Sequence, residues 1–356
     1  MSLSPFDHPI LSGLFGDPEL AGFLSAEAAV ASMVTFEIAL AAAQAECGVI
    51  SAEAARAIDR LTTDLVLDMD GLRDGLGRDG VVAPELVRQM RGALDGDAAK
   101  ALHFGATSQD VMDTSLVLRF KSICDILADR IAAIEGTLEA LSGRFGGRRL
   151  MGRTRMQDAL EISVADRIAD WKAPLERHRA RLEQVKSRLL VLQYGGAVGT
   201  LEKLGEEGPR VVAALAERLE LGTTDKSWHN QRDAVVEFAG WLSLVCGSLG
   251  KIGQDIAILA QNANGEIALA GGGGSSAMPH KSNPVAAEVL VSLARYSAGA
   301  SGTIAQSLVH EQERSGAAWT LEWLVLPQMI MATGSSLLLA ARLLGSVESL
   351  GRLQPG

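Results

Sequence analysis

Three polar loops interrupt an apolar, helix-patterned chain, and each carries groups that could hold or move charge beside a carboxylate. The first is HFGATSQDVMDT, His103 to Thr114. Ser108 there is placed to cap a following helix, with the Thr107 and Ser108 hydroxyls beside its first free amides. Those amides and the helix dipole both favour an anion, although an ordinary helix cap uses the same residues. The second is RFGGRRLMGRTRMQDA, with Arg144, Arg148, Arg149, Arg153 and Arg155 inside twelve positions. Guanidinium forks match carboxylates bidentately, so this is a candidate anion clamp; the plainer reading is a solvated turn between helices. The third is GGGGSSAMPHKSNP, Gly271 to Pro284. Asn283 followed by Pro284 is a helix start with proline at the first helical position. It fits neither a phosphate loop nor a dinucleotide fingerprint, and Ala277 spoils a G-x-S-x-G elbow. A flexible linker seldom carries so specific a polar string.

The elements that position these loops read as long helices. Leu116, Phe120, Ile123, Leu127, Ile131, Ile134, Leu138 and Leu141 step by three and four, one stripe of a helix of roughly thirty residues. A second stripe runs Leu160, Val164, Ile168, Trp171, Leu175, Leu182, Val185, Leu189, Leu192, with a bend expected at Pro174. Val235, Ala239, Leu242, Cys246, Leu249, Ile256 and Leu259 form a third. Pro284, Val289, Leu293, Tyr296, Ala300, Ile304 and Leu308 form a fourth. No useful strand alternation is visible, so the fold class is all-α, a long-helix bundle over 101–356. Residues 1–100 form a smaller helical N-terminal domain, with helices at Ala26–Glu46 and Ser51–Leu65 and a Gly/Asp-rich connection at Asp68–Gly80. Stripes this long and rich in small residues call for more than one chain to cover them.

Composition bounds the partners. A net charge of −10 argues against nucleic acid, which needs a basic face, but allows a locally basic site for anions. Cys47, Cys124 and Cys246 are far apart in apolar stretches and read as buried free thiols in a reducing cytoplasm. The N-terminal stretch is acidic and lacks a signal pattern. No uninterrupted apolar run reaches about 18 residues, so no membrane span is expected. No ligand spacing for a metal is present, and no cofactor is expected.

Together the three loops resemble the fumarase/aspartase superfamily, whose signature GSSxMPxKxNP is matched by the third. Within it the chain is most similar to the bacterial class II 3-carboxy-cis,cis-muconate cycloisomerase family, on HFGATSQDVMDTSLVLR, LQYGGAVGTLEKLG, WHNQRD, SSAMPHKSNPVAAE and HEQERSGAAWTLEWLVLPQM. The resemblance implies a cytoplasmic homotetramer with each active site shared among three subunits, acting on a small tricarboxylate in protocatechuate (beta-ketoadipate) degradation. It implies that Ser275 exchanges a proton at the carbon alpha to a carboxylate, with Lys281 and Asn283 binding the substrate carboxylate or helping Ser275. Thr107, Ser108, Thr154 and Gln157 match substrate-binding positions. Arg153 and Arg155 of the arginine run, and His103, His229 and Arg314 by their places in the loops, join them as candidate contacts. Proton exchange there passes through an enolate-like dianion, whose charge needs fixed donors worth about 3–4 kcal/mol each. Two departures stand out. Arg155 replaces the histidine of the GRTH found in many superfamily lyases, which weakens a fumarate-releasing, adenylosuccinate-lyase-type reading. The usual C-terminal helical domain is expected to be mostly absent, because the chain ends at Gly356. A non-catalytic helical protein is the remaining alternative, and retention of Ser275, Lys281 and Asn283 argues against it.

Overall fold

The computed structural model describes residues 4–274, Met278 and 282–353. Ser275, Ser276, Ala277, Pro279, His280 and Lys281 lie outside the described residues, and with them two of the three expected catalytic groups.

Five long helices make the bundle. The first stripe lies on a helix at Ser108–Phe145 (α2), and every member from Phe120 to Leu141 is buried. Its N-cap is Thr107, whose amide donates to Asp110 Oδ2 at 3.0 Å. Ser108 is therefore the first helical residue and not the cap, because Asp110 three positions on closes the turn from inside. Val164–Leu189 (α3) begins at a reciprocal cap between Ser163 and Asp166 and runs through Pro174 as one helix. Asp233–Leu259 (α4) buries the whole third stripe. Val285–Ile304 (α5) starts one residue later than expected, with Pro284 at its N-cap. It buries Val289, Leu293 and Ile304 but leaves Tyr296 exposed. Gly316–Gly345 (α6) closes the bundle, Ser315 capping it by accepting the Ala318 amide. Ala26–Glu46 (α1) packs across α2 from the N-terminal part.

Strands are present where none was expected. The arginine loop is an antiparallel hairpin of Arg149–Thr154 (β1) and Gln157–Ser163 (β2). Its two-residue turn is Arg155–Met156, both with positive φ (50° and 65°). That is the backbone a tight hairpin demands, usually met by Asn-Gly; the left-handed region costs other residues roughly 1–2 kcal/mol each. Leu160 consequently lies on β2, 79% exposed, and does not extend the second helical stripe. A second small pair joins Ile267–Leu269 (β3) to Val347–Leu350 (β4). Asp68–Gly80 is also no loose connection. It is a helix at Met69–Asp79, capped by Asp68, which accepts the Gly71 amide, and ended by Gly80 at φ +73°. Leu72, buried on this helix, outweighs its glycines.

The helices alternate in direction, so the connections gather at two ends. At one end, α2, α4 and α6 begin, and Arg232 before α4 bridges Asp113 of α2 and Glu322 of α6. At the other, the Met151 amide on the hairpin donates to Glu266 beyond α4, and Ala270 donates to Ser346 beyond α6. With 27 residues in α4, the ends stand about 40 Å apart at 1.5 Å per residue.

Helices α1, α4 and α6 are long and apolar enough to cross a membrane, contrary to the count of uninterrupted runs. Interspersed small polar residues break a run without lowering the mean. Inside the protein 39%, 56% and 67% of these stretches is buried, and α6 buries Ser335, Ser336 and the charged Glu322. Cys124 and Cys246 are buried and Cys47 is half-buried, all free; burial pushes the Cys124 thiol up to about 12.

Close approach of α4 and α5 depends on glycine. A Cβ on Gly253 would lie 2.6 Å from the Ala287 carbonyl oxygen. Gly253→Ala should therefore destabilise by about 1–3 kcal/mol despite alanine's better helix propensity. Gly136→Ala, at an exposed position of α2 where nothing lies within 4 Å, should stabilise by roughly 0.5–1 kcal/mol. Thermal unfolding of both checks this; a stabilised Gly253 variant contradicts the packing.

Candidate active site

At the Thr107 end a fully buried carboxylate organises the chain. Asp110 accepts the amides of Gly195 and Gly196, each at 2.9 Å, and that of Thr107 at 3.0 Å. His229 Nε2 lies 2.8 Å from Asp110 Oδ1. Because a carboxylate only accepts, Nε2 carries the proton. One turn on, Asp113 receives both terminal nitrogens of Arg232, at 2.7 and 3.0 Å, and the Trp319 indole N–H at 3.1 Å. Arg232 also meets Glu322 through two nitrogens and lies 4.7 Å from the Trp228 ring centre. Burial pushes the Glu322 carboxyl up against the opposing pull of Arg232.

Gln109 links the two layers. Its amide donates to Asp113 and to the His229 carbonyl, and its oxygen accepts from Arg314 Nε at 2.8 Å. Arg314 reaches Thr107 Oγ1 at 3.3 Å and the Ala197 carbonyl at 3.2 Å. Thr107, His229 and Arg314 thus form one hydrogen-bonded group, with Ser108 adjoining as the first residue of α2. His103 sits four residues before Thr107 with Nδ1 2.5 Å from Glu37 Oε1. A cavity of about 670 Å³ opens beside the group, lined by Tyr194, Thr200, Ser227, His229, Asn230 and Glu313 among others.

The remaining candidates stand at the far end. Thr154, Arg155 and Gln157 are exposed around the hairpin turn. Arg153 is held in the chain by Glu266 at 2.6 Å and Asp158 at 2.8 Å. Arg144 and Arg148 lie over the Phe145 ring, each 4.7 Å from its centre. The arginine run is thus divided, with Arg155 at the tip. Asn283 pairs with Gly273 at the foot of the glycine-rich loop and lines a second cavity of about 510 Å³ with Asn262, Gly272, Ser282 and Arg342. Among the described residues no three His, Cys, Asp or Glu side chains gather as a metal site.

Sequence reasoning passed over Gln109, Asp110, Asp113, Arg232, Glu322 and the Gly195–Gly196 pair. All but Glu322 sit in TSQDVMDT, WHNQRD or LQYGGAVG, strings too polar for their apolar flanks, and that was the available signal. Glu37 had one as well, being the one charged residue between Glu27 and Glu46.

The sequence profile of the lyase family matches residues 17–299. The 3-carboxy-cis,cis-muconate cycloisomerase of Pseudomonas aeruginosa is 40% identical over 89% of this chain and 70% of its own length. That of Acinetobacter baylyi is 37% identical over 92% of this chain and 74% of its own. The crystal structure of the 3-carboxy-cis,cis-muconate lactonizing enzyme from Pseudomonas putida superposes with a TM-score of 0.91 at 35% identity. It covers 96% of this chain and 77% of that one.

The Asp113–Arg232–Glu322 group yields a test with a definite sign. Arg232→Met strands two buried carboxylates and should cost about 3–5 kcal/mol at pH 8. Unpaired, they hold protons in the folded state that the unfolded chain has released. The loss should therefore shrink as pH falls toward the ordinary glutamate value of 4.5. Denaturant titrations at pH 8 and 5.5 check it; an equal loss at both contradicts the ionic account.

Proposed function

The chain belongs to the lyase family, within the fumarase/aspartase superfamily, and on that premise we propose that it interconverts 3-carboxy-cis,cis-muconate and 4-carboxymuconolactone. The observation that carries the reading is the 34–40% identity, over 89–92% of this chain, to four curated cycloisomerases.

In the lactonising direction a substrate carboxylate oxygen bonds to a carbon of the conjugated diene. The π electrons move to the carbon alpha to another carboxylate, giving an enolate-like dianion. Ser275 Oγ delivers a proton to that carbon, breaking its own O–H bond and forming C–H, and recovers a proton from solvent. One proton is consumed overall, and a trianion becomes a dianion. The nucleophile needs no base, since carboxylates titrate near pH 4, and the ring closes within one molecule once its geometry is held. Histidine near the leaving group serves elimination better than lactonisation. A permanently charged arginine at position 155 fits a third carboxylate better.

Holding that trianion requires both ends of the bundle. Thr107, Ser108, His229 and Arg314 lie about 40 Å from Arg155, Gln157 and the paired Gly273 and Asn283. No hinge in a packed helix closes such a gap. We therefore read the site as assembled from several copies, the hairpin and glycine-rich loop of some copies meeting the Thr107 end of another. Leu244 and Leu324, 52% and 63% exposed on α4 and α6, belong to the apolar faces such copies would cover. A tetramer is the arrangement proposed. Working in the cytoplasm follows from the small-molecule substrate class and is proposed with it.

Two measurements test this. Loss of diene absorbance should follow addition of 3-carboxymuconate, and Ser275→Ala should slow turnover by roughly 10²–10⁴-fold with helicity unchanged. Mixing inactive Ser275→Ala with inactive Arg314→Ala and reassembling them should restore part of the activity. Unchanged turnover in Ser275→Ala would sink the role of the serine. Confirmed mixed oligomers without recovery would sink the shared site.

A further inference from the structure

Beneath the first loop, one face of α1 carries two buried polar side chains seven residues apart, Glu37 and Gln44. Gln44 Nε2 donates to the Phe104 carbonyl at 2.6 Å and to the Tyr194 hydroxyl at 3.2 Å. Glu37 Oε1 lies 2.5 Å from His103 Nδ1. Nothing in the lactonisation scheme uses Glu37, yet it is fully buried, and its Oε2 has no hydrogen-bond partner among the described residues. A carboxylate so placed is strongly disfavoured unless a cation sits against it. The group at hydrogen-bond distance is the His103 ring. Its backbone is held in the left-handed region at φ +62°, and its side chain keeps 17% of its surface exposed.

We infer that Glu37 is a positioning residue for the proposed reaction: gripping His103 by Nδ1, it keeps the ring cationic and leaves Nε2–H as a donor for one carboxylate of the bound trianion. The role toward substrate rests on the cycloisomerase reading; the charged pair itself does not.

The groups around the ring agree with the charge. Asp110 on α2 adds to the pull of Glu37, while Arg91, which donates to the Leu102 carbonyl at 2.9 Å, opposes it. Tyr194 is held neutral, burial pushing its hydroxyl well above the usual range. Burial of the imidazole disfavours its charge, but the Glu37 carboxylate outweighs that, and His103 titrates above the ordinary 6.5. With the folded value raised, the pair's contribution to stability is full below pH 6.5 and fades as pH rises through the folded value. A neutral His103 would leave the first loop one positive charge short at working pH.

Glu37→Gln separates charge from scaffold, because the amide oxygen still accepts a hydrogen bond from Nδ1–H. The experiment is NMR titration of the histidine rings in the intact assembled protein, with the His103 signal assigned by His103→Asn. Steady-state kinetics on 3-carboxymuconate at pH 7.5 run alongside. His103 should titrate above 6.5 in the parent, and Glu37→Gln should lower the midpoint. KM should rise about tenfold, with kcat changed far less. A parent midpoint at or below 6.5, or the same midpoint in both proteins, overturns the inference. If Glu37→Gln does not fold, the parent midpoint alone decides. A lowered midpoint with unchanged KM overturns the role toward substrate. A parent that does not turn over 3-carboxymuconate removes the cycloisomerase reading, while the midpoints still decide the charged pair.

Discussion

A packed α-helix fixes the distance between its ends at 1.5 Å per residue, and everything functional in this chain answers to that constraint. The bundle alternates up and down, so loops gather at two ends. Polar sequence strings far apart in the chain meet because their helices begin or end on the same side. TSQDVMDT, the segment after α3, WHNQRD and HEQERSG all converge on Asp110 and Asp113. The hairpin and the glycine-rich loop converge on Glu266 and β3 at the opposite side. A tricarboxylate spans only a fraction of the interval. On the proposed reading, rigid helices make each chain a carrier of half-sites.

Charge is arranged on the same plan. The chain is acidic overall, at −10, and its buried carboxylates at the Thr107 end are matched group by group. Backbone amides satisfy Asp110, Arg232 satisfies Asp113 and Glu322, and His103 faces Glu37. Such groups contribute little net stability compared with apolar packing, but losing one partner is costly. Their value is definition. They fix where the start of α2 and the Thr107 and Arg314 side chains stand, which an apolar core of Leu and Ala could not do so closely. At the hairpin end the charge is treated differently. Glu266 and Asp158 bind Arg153 tightly, while Arg155 is lifted onto a strained, exposed turn.

Much of this was legible in the residues. Stripes stepping by three and four gave four of the five long helices, because in a bundle burial follows helical period with little interference. The hairpin was not legible. Its strands are short, four of the five clustered arginines lie on or beside them, and β2 exposes most of its residues, so no alternation records a buried face. Leu160 was drawn into the wrong element because a single exposed leucine cannot be told from the end of a stripe. The helix at Met69–Asp79 hid behind glycines that tertiary contact through Leu72 tolerates. The loops with candidate chemistry were found from residue type. Their separation was not, because sequence order says nothing about which helix end a loop occupies until the directions are known. Asp110 and Asp113 were missed for a related reason: carboxylates near a helix start read as dipole partners, and only the fold shows amides and an arginine arriving from elsewhere.

The claim on which the account turns is that one chain cannot complete a site. Sedimentation velocity and specific activity toward 3-carboxymuconate, measured on the same dilution series, test it most directly. The account predicts that activity per chain falls in step with the assembled fraction, and that isolated monomers, still helical by circular dichroism, have none. Full specific activity in a verified monomer would contradict it.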